Sequence, residues 1–479
     1  MKPTTEKRCN KNYINWVRET KDVIRERLSV TIVGLDSVSR LNMLRHLIKT
    51  YTYLSTFGSL IDLYGYTKLG DNTFPNVVPL LTGQFVKECW NETFRHKSLN
   101  YLKLIWKEFS QNGYRTLFGE DAPYHATFNY LKSGFHNQPT DYYLRPISLA
   151  IEESLVKNNS KANCINTRSE TEFVLQWLTD FLNVFQNKPT FSYVFNTQLT
   201  HNHINYVGYG DEPYYKFFKN YNDSNFNNNS ILIFFSDHGL RFGKILDSYV
   251  GKIEERMPFF LLLFPPWFPL KYPLLWRNIQ INKHRLTTPF DIYQTLRDIV
   301  NFTGDAPVAN VSERGISLFR EIPSDRTCED AAILPHWCTC HVKHSVPLNS
   351  SHVTKAAGQL LSRINGLLLE ESSKCVKLSL DKVVDARVSG ISDELLKFKD
   401  SRKKVIGRKV NRMGGMADYL LTILAIPSGG LFEGTVRYFE ASGRYQVMGD
   451  VSRINMYGNQ SACIDKASLI KFCYCNQEG

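Results

Sequence analysis

In the stretch Gly-Asp-Asn-Thr-Phe-Pro-Asn-Val-Val-Pro-Leu-Leu-Thr-Gly, residues 70–83, the hydroxyl of Thr73 directly precedes an apolar run of helical character. A hydroxyl so placed does one of two things. It caps the helix by accepting a first-turn N–H, or it is a nucleophile whose alkoxide, and the anion it attacks, are both favoured by the helix N-terminus. Complementary groups follow two apolar runs elsewhere: Asp36 comes after Val-Gly-Leu (33–35), and Asp237-His238 come after Ile-Leu-Ile-Phe-Phe-Ser (231–236). Taken singly, Asp36 reads equally well as a helix cap and Asp237-His238 as a turn. Taken together, Asp36, Thr73, Asp237 and His238 supply two carboxylates, an alkoxide and an imidazole. That mixed oxygen and nitrogen set suits zinc or a related divalent cation, which lowers the pKa of a hydroxyl it binds. Arg40 and Arg256 are candidates to clamp an anionic oxygen, with Glu254 and Glu255 as alternative partners for Arg256.

These residues need elements that bring them together. The β-branched runs at 28–35 and 229–236, with a third at 190–195, read as buried strands that deliver polar residues from their C-terminal ends. Helical patterns at 101–111 and 170–186 lie between them. Strands alternating with amphipathic helices predict an α/β/α sandwich around a mostly parallel sheet, in which ligands bind beyond the carboxyl ends of the strands. After about residue 325 the character changes to cysteines, short strands (419–426, 434–439) and loops, among them a basic run within 398–416. The division expected is an N-terminal extension at 1–24, a catalytic-type domain at 25–325, and a smaller cysteine-stabilised α+β domain at 326–479.

The chain has 479 residues with 43% hydrophobic content, ample for a large core. Its net charge of +12 suits an anionic substrate, such as a phosphoester, a lipid head group or an acidic glycan. No nucleic-acid recognition motif accompanies that charge. Of ten cysteines, seven fall late: Cys328, Cys338, Cys340, Cys375, Cys463, Cys473 and Cys475. The even count fits five disulfides, with one late cysteine pairing to Cys9, Cys89 or Cys164; the C-x-C spacing argues against a zinc knuckle. Sequons at Asn91, Asn158, Asn222, Asn228, Asn301, Asn310, Asn349 and Asn459 point the same way, to an extracellular or secretory-lumen setting. No stretch is apolar enough to span a bilayer, so a leader or membrane anchor would lie in a segment absent from this sequence.

Several motifs together resemble the alkaline-phosphatase/sulfatase superfamily. They are Val-Gly-Leu-Asp-Ser-Val-Ser-Arg (33–40), Gly-Asp-Asn-Thr-Phe-Pro-Asn (70–76), Phe-Ser-Asp-His-Gly (235–239) and Glu-Glu-Arg-Met-Pro (254–258). Within it they are most similar to the family called domain of unknown function 229, as are Gly-Glu-Asp-Ala-Pro (119–123), Arg-Gly-Ile-Ser-Leu-Phe (314–319) and Pro-His-Trp-Cys-Thr-Cys (335–340). The resemblance implies the fold of alkaline phosphatase and a metal-dependent hydrolase or transferase of phosphoesters or phosphodiesters. It makes Thr73 the nucleophile, and Asp36, Asp237 and His238 the ligands of the metal beside it. Two-zinc members carry Asp-x-x-x-His where this chain has Thr197 and His201, which implies one zinc and disfavours a second metal. His201 then protonates a leaving group and His203 orients substrate, or both belong to a surface turn. Glu254 and Arg256 fall where a later ligand or substrate contact would lie. Thr73 also replaces the convertible cysteine or serine of sulfatases, which disfavours sulfate-ester hydrolysis on acidic glycans. The alternative from a different class is a catalytically inactive secreted or membrane-associated glycoprotein that keeps the fold and binds a ligand.

Overall fold

The computed structural model describes residues 27–308, 314–389 and 415–476. The predicted extension at 1–24, Cys9, the Asn310 sequon and residues 398–414 of the basic run lie outside them. The chain forms two compact units. One is built from 27–68, 72–240 and 257–326, the other from 69–71, 241–256 and the residues from 327 onward.

The first unit is an α/β sandwich around a seven-stranded sheet. Its strands in chain order are β1 (Ser29–Leu35), β2 (Leu60–Asp62), β3 (Arg115–Glu120), β4 (Tyr142–Tyr143), β5 (Thr190–Asn196), β6 (Ser230–Phe235) and β7 (Phe260–Leu263). Across the sheet they are ordered β2-β7-β6-β1-β5-β3-β4. β1 runs parallel to both β5 and β6, and β3 parallel to β5. β7 is antiparallel to both its neighbours, so the sheet is mixed. This follows from the chain returning to the sheet beside β6 after 241–256 without a crossover helix in this unit.

Strands buried on both faces read as unbroken apolar runs because each face has its own helical layer. On one face, Ile32, Phe191, Tyr193, Ile231 and Phe260 pack with α1 (Thr73–Thr82). On the other, Val33, Val194 and Phe234 pack with α2 (Glu170–Val184) and α3 (Asp211–Asp223). Each fully buried Leu or Phe contributes about 1.5–3 kcal/mol, so neither layer is dispensable. α2 starts at a capping box, Ser169 with Glu172. The helix expected over 101–111 begins only at Ile105, because Ser98 caps a 3₁₀ turn over Leu99–Tyr101. In β1 the residue before Leu35 must be glycine: a Cβ on Gly34 would lie 2.2 Å from the Phe195 ring of β5.

The second unit holds a five-stranded antiparallel sheet. Its strands, each beside the next, are β8 (Lys343–Ser345), β9 (Ser379–Ser389), β10 (Met416–Ile426), β11 (Gly430–Phe439) and β12 (Arg444–Arg453). Val353, Ala356, Leu360 and Ile364 lie on one stripe of the helix Ser351–Leu367 and join Leu421, Ile423 and Phe432 in its core. The segment Tyr249–Arg256 enters this unit through buried charges. Glu433 takes Arg256 Nη2 at 2.6 Å and Lys252 Nζ at 2.9 Å, and Lys252 also reaches Asp385 at 3.0 Å. Burial alone would raise the Glu433 carboxyl, but Arg256 and Lys252 outweigh it and hold the group well below the usual carboxylate range.

Three disulfides, Cys328–Cys338, Cys375–Cys473 and Cys463–Cys475, close this unit. Five were expected from the count. Cys340 is instead an exposed thiol beside the first bridge, since Cys328 has paired with Cys338, and Cys89 and Cys164 are thiols as well. Three bridges suffice to assign an oxidising compartment. Among the described residues no helix is long and apolar enough to cross a membrane.

Candidate functional site

β1, β5, β6 and β3 are mutually parallel, so their C-terminal ends share one edge of the sheet. Asp36 leaves β1 there, and Asp237 and His238 follow Ser236 just beyond β6. Ligand atoms of Asp36, Asp237 and His238 all lie within 4.8 Å of one another, and all three residues are buried. His238 Nε2 is 3.6 Å from Asp36 Oδ1 and 3.3 Å from Asp237 Oδ2. α1 brings the fourth group. Its N-cap is Asn72, with extended backbone, and Thr73 is the first helical residue, its side chain close enough to the Asp237 carboxylate to favour the charged form. Thr73 therefore does not serve as the cap.

The local chain is built to aim these groups. Ser37 adopts φ 64°, a left-handed conformation uncommon for a residue with a Cβ. That sharp turn lets its N–H donate to Asp237 Oδ1 at 3.3 Å and its hydroxyl to Asp36 Oδ1 at 2.8 Å, so one residue orients both carboxylates. Ser236 joins the two strand ends: its Oγ accepts the Val38 N–H at 2.9 Å and donates to the His238 carbonyl at 3.0 Å. Thr200 donates to the Asp36 carbonyl. Sequence reasoning passed over Ser37, Ser236 and Thr200, although the first two adjoin the aspartates it singled out.

The tautomer of His238 follows from its neighbour. Nδ1 lies 2.8 Å from the Gly239 carbonyl, which can only accept, so Nδ1 carries the proton and the Nε2 lone pair faces the carboxylates. Burial, and next the Asp36 charge, push the Asp237 carboxyl well above its ordinary value; the Thr73 hydroxyl opposes this. Such a set calls for a cation or a proton at its centre. Donors about 2.0–2.2 Å from a tetrahedral zinc stand about 3.3–3.6 Å apart from one another. The spacings of 3.3 and 3.6 Å match that edge, so the residues fit a divalent ion.

The remaining predicted residues have other surroundings. Arg40 is taken by Asp62, with Nη2 at 2.6 Å and Nε at 2.9 Å, and lies over the Tyr64 ring. Arg256, in the second unit, is taken by Glu433 and by the carbonyls of Lys252 and His336. Glu254 is buried in that same unit. His201 is half-buried on the loop after β5, its Nδ1 2.9 Å from Asn202 Oδ1, and His203 is exposed against the Tyr206 ring. At the end of β3, Asp121 accepts the N–H groups of Thr197 and Gln198, and Glu120 accepts that of Thr127. Burial raises both carboxyls, Glu120 to about 7 and Asp121 to about 6.

The family described as "Protein of unknown function (DUF229)" matches residues 4–384. No curated protein matches the chain. Solved structures are similar to it at low identity. A protein in the alkaline phosphatase superfamily from Vibrio parahaemolyticus is 11% identical over 96% of this chain and 94% of its own, with a TM-score of 0.43. The C-terminal periplasmic domain of EcEptC from Escherichia coli is 13% identical over 68% of this chain and 91% of its own, with a TM-score of 0.40. The lipoteichoic acid synthase LtaP from Listeria monocytogenes is 13% identical over 50% of this chain and 66% of its own, with a TM-score of 0.37.

Proposed function

The chain belongs to the DUF229 family, and from that premise and the geometry above we propose that it is a metal-dependent hydrolase or transferase of a phosphoester or phosphodiester, with Thr73 as nucleophile. The observation that carries this reading is the Thr73 hydroxyl at the first position of α1, turned toward Asp237 within a buried two-carboxylate, one-imidazole cluster. Asp36, Asp237 and His238, with Thr73, would hold one zinc, which when bound lowers the hydroxyl's pKa and offsets phosphate charge. Thr73 Oγ, its proton already released to water, attacks phosphorus in line, while the bond from phosphorus to the leaving oxygen breaks on the opposite side. The N-terminus of α1 favours the anion at that point. His201, on the loop at the same sheet edge, is the group we assign to protonate the leaving oxygen. Water or an acceptor alcohol then displaces the threonine from phosphorus and restores the hydroxyl.

A second reading, a glycoprotein that binds a ligand without turning it over, is favoured by Thr197: its N–H is committed to Asp121, where a second-metal carboxylate would otherwise stand. Under both readings the setting is the secretory pathway or beyond. Three disulfides and exposed sequon asparagines at Asn91, Asn158, Asn228, Asn301, Asn349 and Asn459 support it. The two readings separate in an assay of zinc-loaded protein on an aryl phosphomonoester, a bis-aryl phosphodiester and an aryl sulfate. The phosphoesterase reading expects turnover of a phosphoester, part of it kept in Thr73→Ser and none in Thr73→Ala or Thr73→Asp. Full activity in Thr73→Ala overturns the nucleophile, and a wild type inert on every phosphoester supports the binding protein.

A further inference from the structure

Beyond the carboxylate and imidazole cluster, one cation in the first unit lies against the first turn of the helix that carries Thr73. Lys132 lies on the segment between β3 and β4. Its ammonium sits 4.1 Å from the centre of the Phe74 ring and 5.4 Å from that of Trp90. Phe74 is the residue next to Thr73, in the first turn of α1, and its ring meets Trp90 and Phe128 edge to face. Among the described residues the ammonium donates one hydrogen bond, to the Tyr130 carbonyl at 2.9 Å, and makes no ion pair; Glu92 acts on it only at longer range. Burial lowers the amine to about 8.

A half-buried ammonium costs free energy that an anion relieves, and a cation–π contact with one neutral hydrogen bond covers only part of that cost. Two of its three N–H groups have no protein acceptor among the described residues. An ammonium in this state, over the first turn of the helix that carries the proposed nucleophile, has an anion as its natural complement. We propose that Lys132 is a substrate-binding residue that holds an anionic oxygen of the phosphoester, and so selects for anionic groups next to Thr73. This deepens the phosphoesterase reading and rests on it for the identity of the anion.

The experiment has two arms. In the first, Lys132→Gln and Lys132→Arg are assayed with an aryl phosphomonoester and a bis-aryl phosphodiester. Loss of one charge-assisted contact to the substrate raises KM about 10- to 100-fold in the Gln variant with kcat within about threefold, and Arg restores most of the affinity. In the second, the wild type and Thr73→Ala are labelled with a small amine-reactive reagent, with and without inorganic phosphate, and Lys132 modification is read by peptide mass. Phosphate is expected to protect Lys132 in both proteins. Unchanged KM in Lys132→Gln, or labelling of Lys132 indifferent to phosphate, overturns the proposal. The labelling arm needs no turnover, so an inactive enzyme with a protected Lys132 counts against the phosphoesterase reading while leaving anion binding intact. A Gln variant whose thermal unfolding differs from wild type is judged by the Arg variant and by the labelling arm.

Discussion

Replacing Asp237 by asparagine tests whether the buried cluster is built for a cation. Without a cation, the raised carboxyl of Asp237 keeps its proton near neutral pH, because burial and the Asp36 charge both disfavour its ionisation. A cation entering the site must expel that proton, so its affinity rises about tenfold per pH unit until the raised value is reached. At a zinc concentration a hundred times Kd, binding stabilises the fold by about 2.7 kcal/mol; one pH unit lower, at ten times Kd, the gain falls to about 1.4 kcal/mol. Metal-free stability runs the other way. The folded state binds the Asp237 proton more tightly than the unfolded chain, whose aspartates titrate near 4, so this group's contribution is full at low pH. It is lost at about 1.4 kcal/mol per unit as pH rises from there through the folded value. Asp237→Asn has no proton to release. It should lose the pH dependence of zinc stabilisation, bind zinc more than about tenfold more weakly, and be more stable than metal-free wild type at pH 8 by more than at pH 5. Calorimetric unfolding of stripped and zinc-loaded proteins across pH 5–8, with titration in buffers of different ionisation enthalpy to count released protons, measures each quantity. Zinc stabilising the variant as much as the wild type, or a wild-type-minus-variant difference that grows in favour of wild type with rising pH, would refute the reasoning.

Two further outcomes concern the second unit. Glu433→Gln leaves Arg256 and Lys252 as buried cations without their carboxylate and should cost about 3–5 kcal/mol in urea unfolding, whereas replacing all three by apolar residues of similar volume should cost far less. Because the folded Glu433 is depressed, its contribution is present above the unfolded glutamate value near 4.3 and declines as pH falls below it. The Cys375–Cys473 bridge spans 98 positions and Cys328–Cys338 only 10, so loop-closure entropy ranks them: removing the first should cost about 2 kcal/mol more than removing the second. Equal losses would point to native-state contacts as the dominant effect.

What the sequence discloses, and what it hides, follows from the range of the forces involved. The runs that became β1, β5 and β6 were legible because a strand buried on both faces has no alternative to continuous apolar character. Their polar followers, Asp36 and Asp237-His238, were legible for the same reason, as abrupt exits from such runs. Their convergence, 201 residues apart in the case of Asp36 and Asp237, depends on strand order, which no local pattern encodes. The antiparallel β7 was hidden likewise, since an apolar tetrapeptide carries no direction. Arg40 and Arg256 looked like anion clamps because sequence shows a charge and not its partner, and Asp62 and Glu433 lie 22 and 177 positions away. Cys340 was counted into a bridge because an even total cannot reveal which sulfurs meet. Lys132 drew no notice: it belongs to no motif, and its place over Phe74 arises from how a loop settles on a helix.

The excursion of residues 241–256 into the second unit bears on how this protein could have been assembled by evolution. The segment leaves shortly after the Asp237-His238 pair and returns as β7 of the seven-stranded sheet, so the gene encodes the two units as interleaved text. A recombination breakpoint near residue 326 would pass on the larger unit with Lys252 and Arg256 still attached and Glu433 left behind. Shuffling of the C-terminal part alone is thereby penalised, and the lineage is constrained to inherit the pair as one piece. Change must come from residues that neither unit lends to the other, such as the loop that bears Lys132.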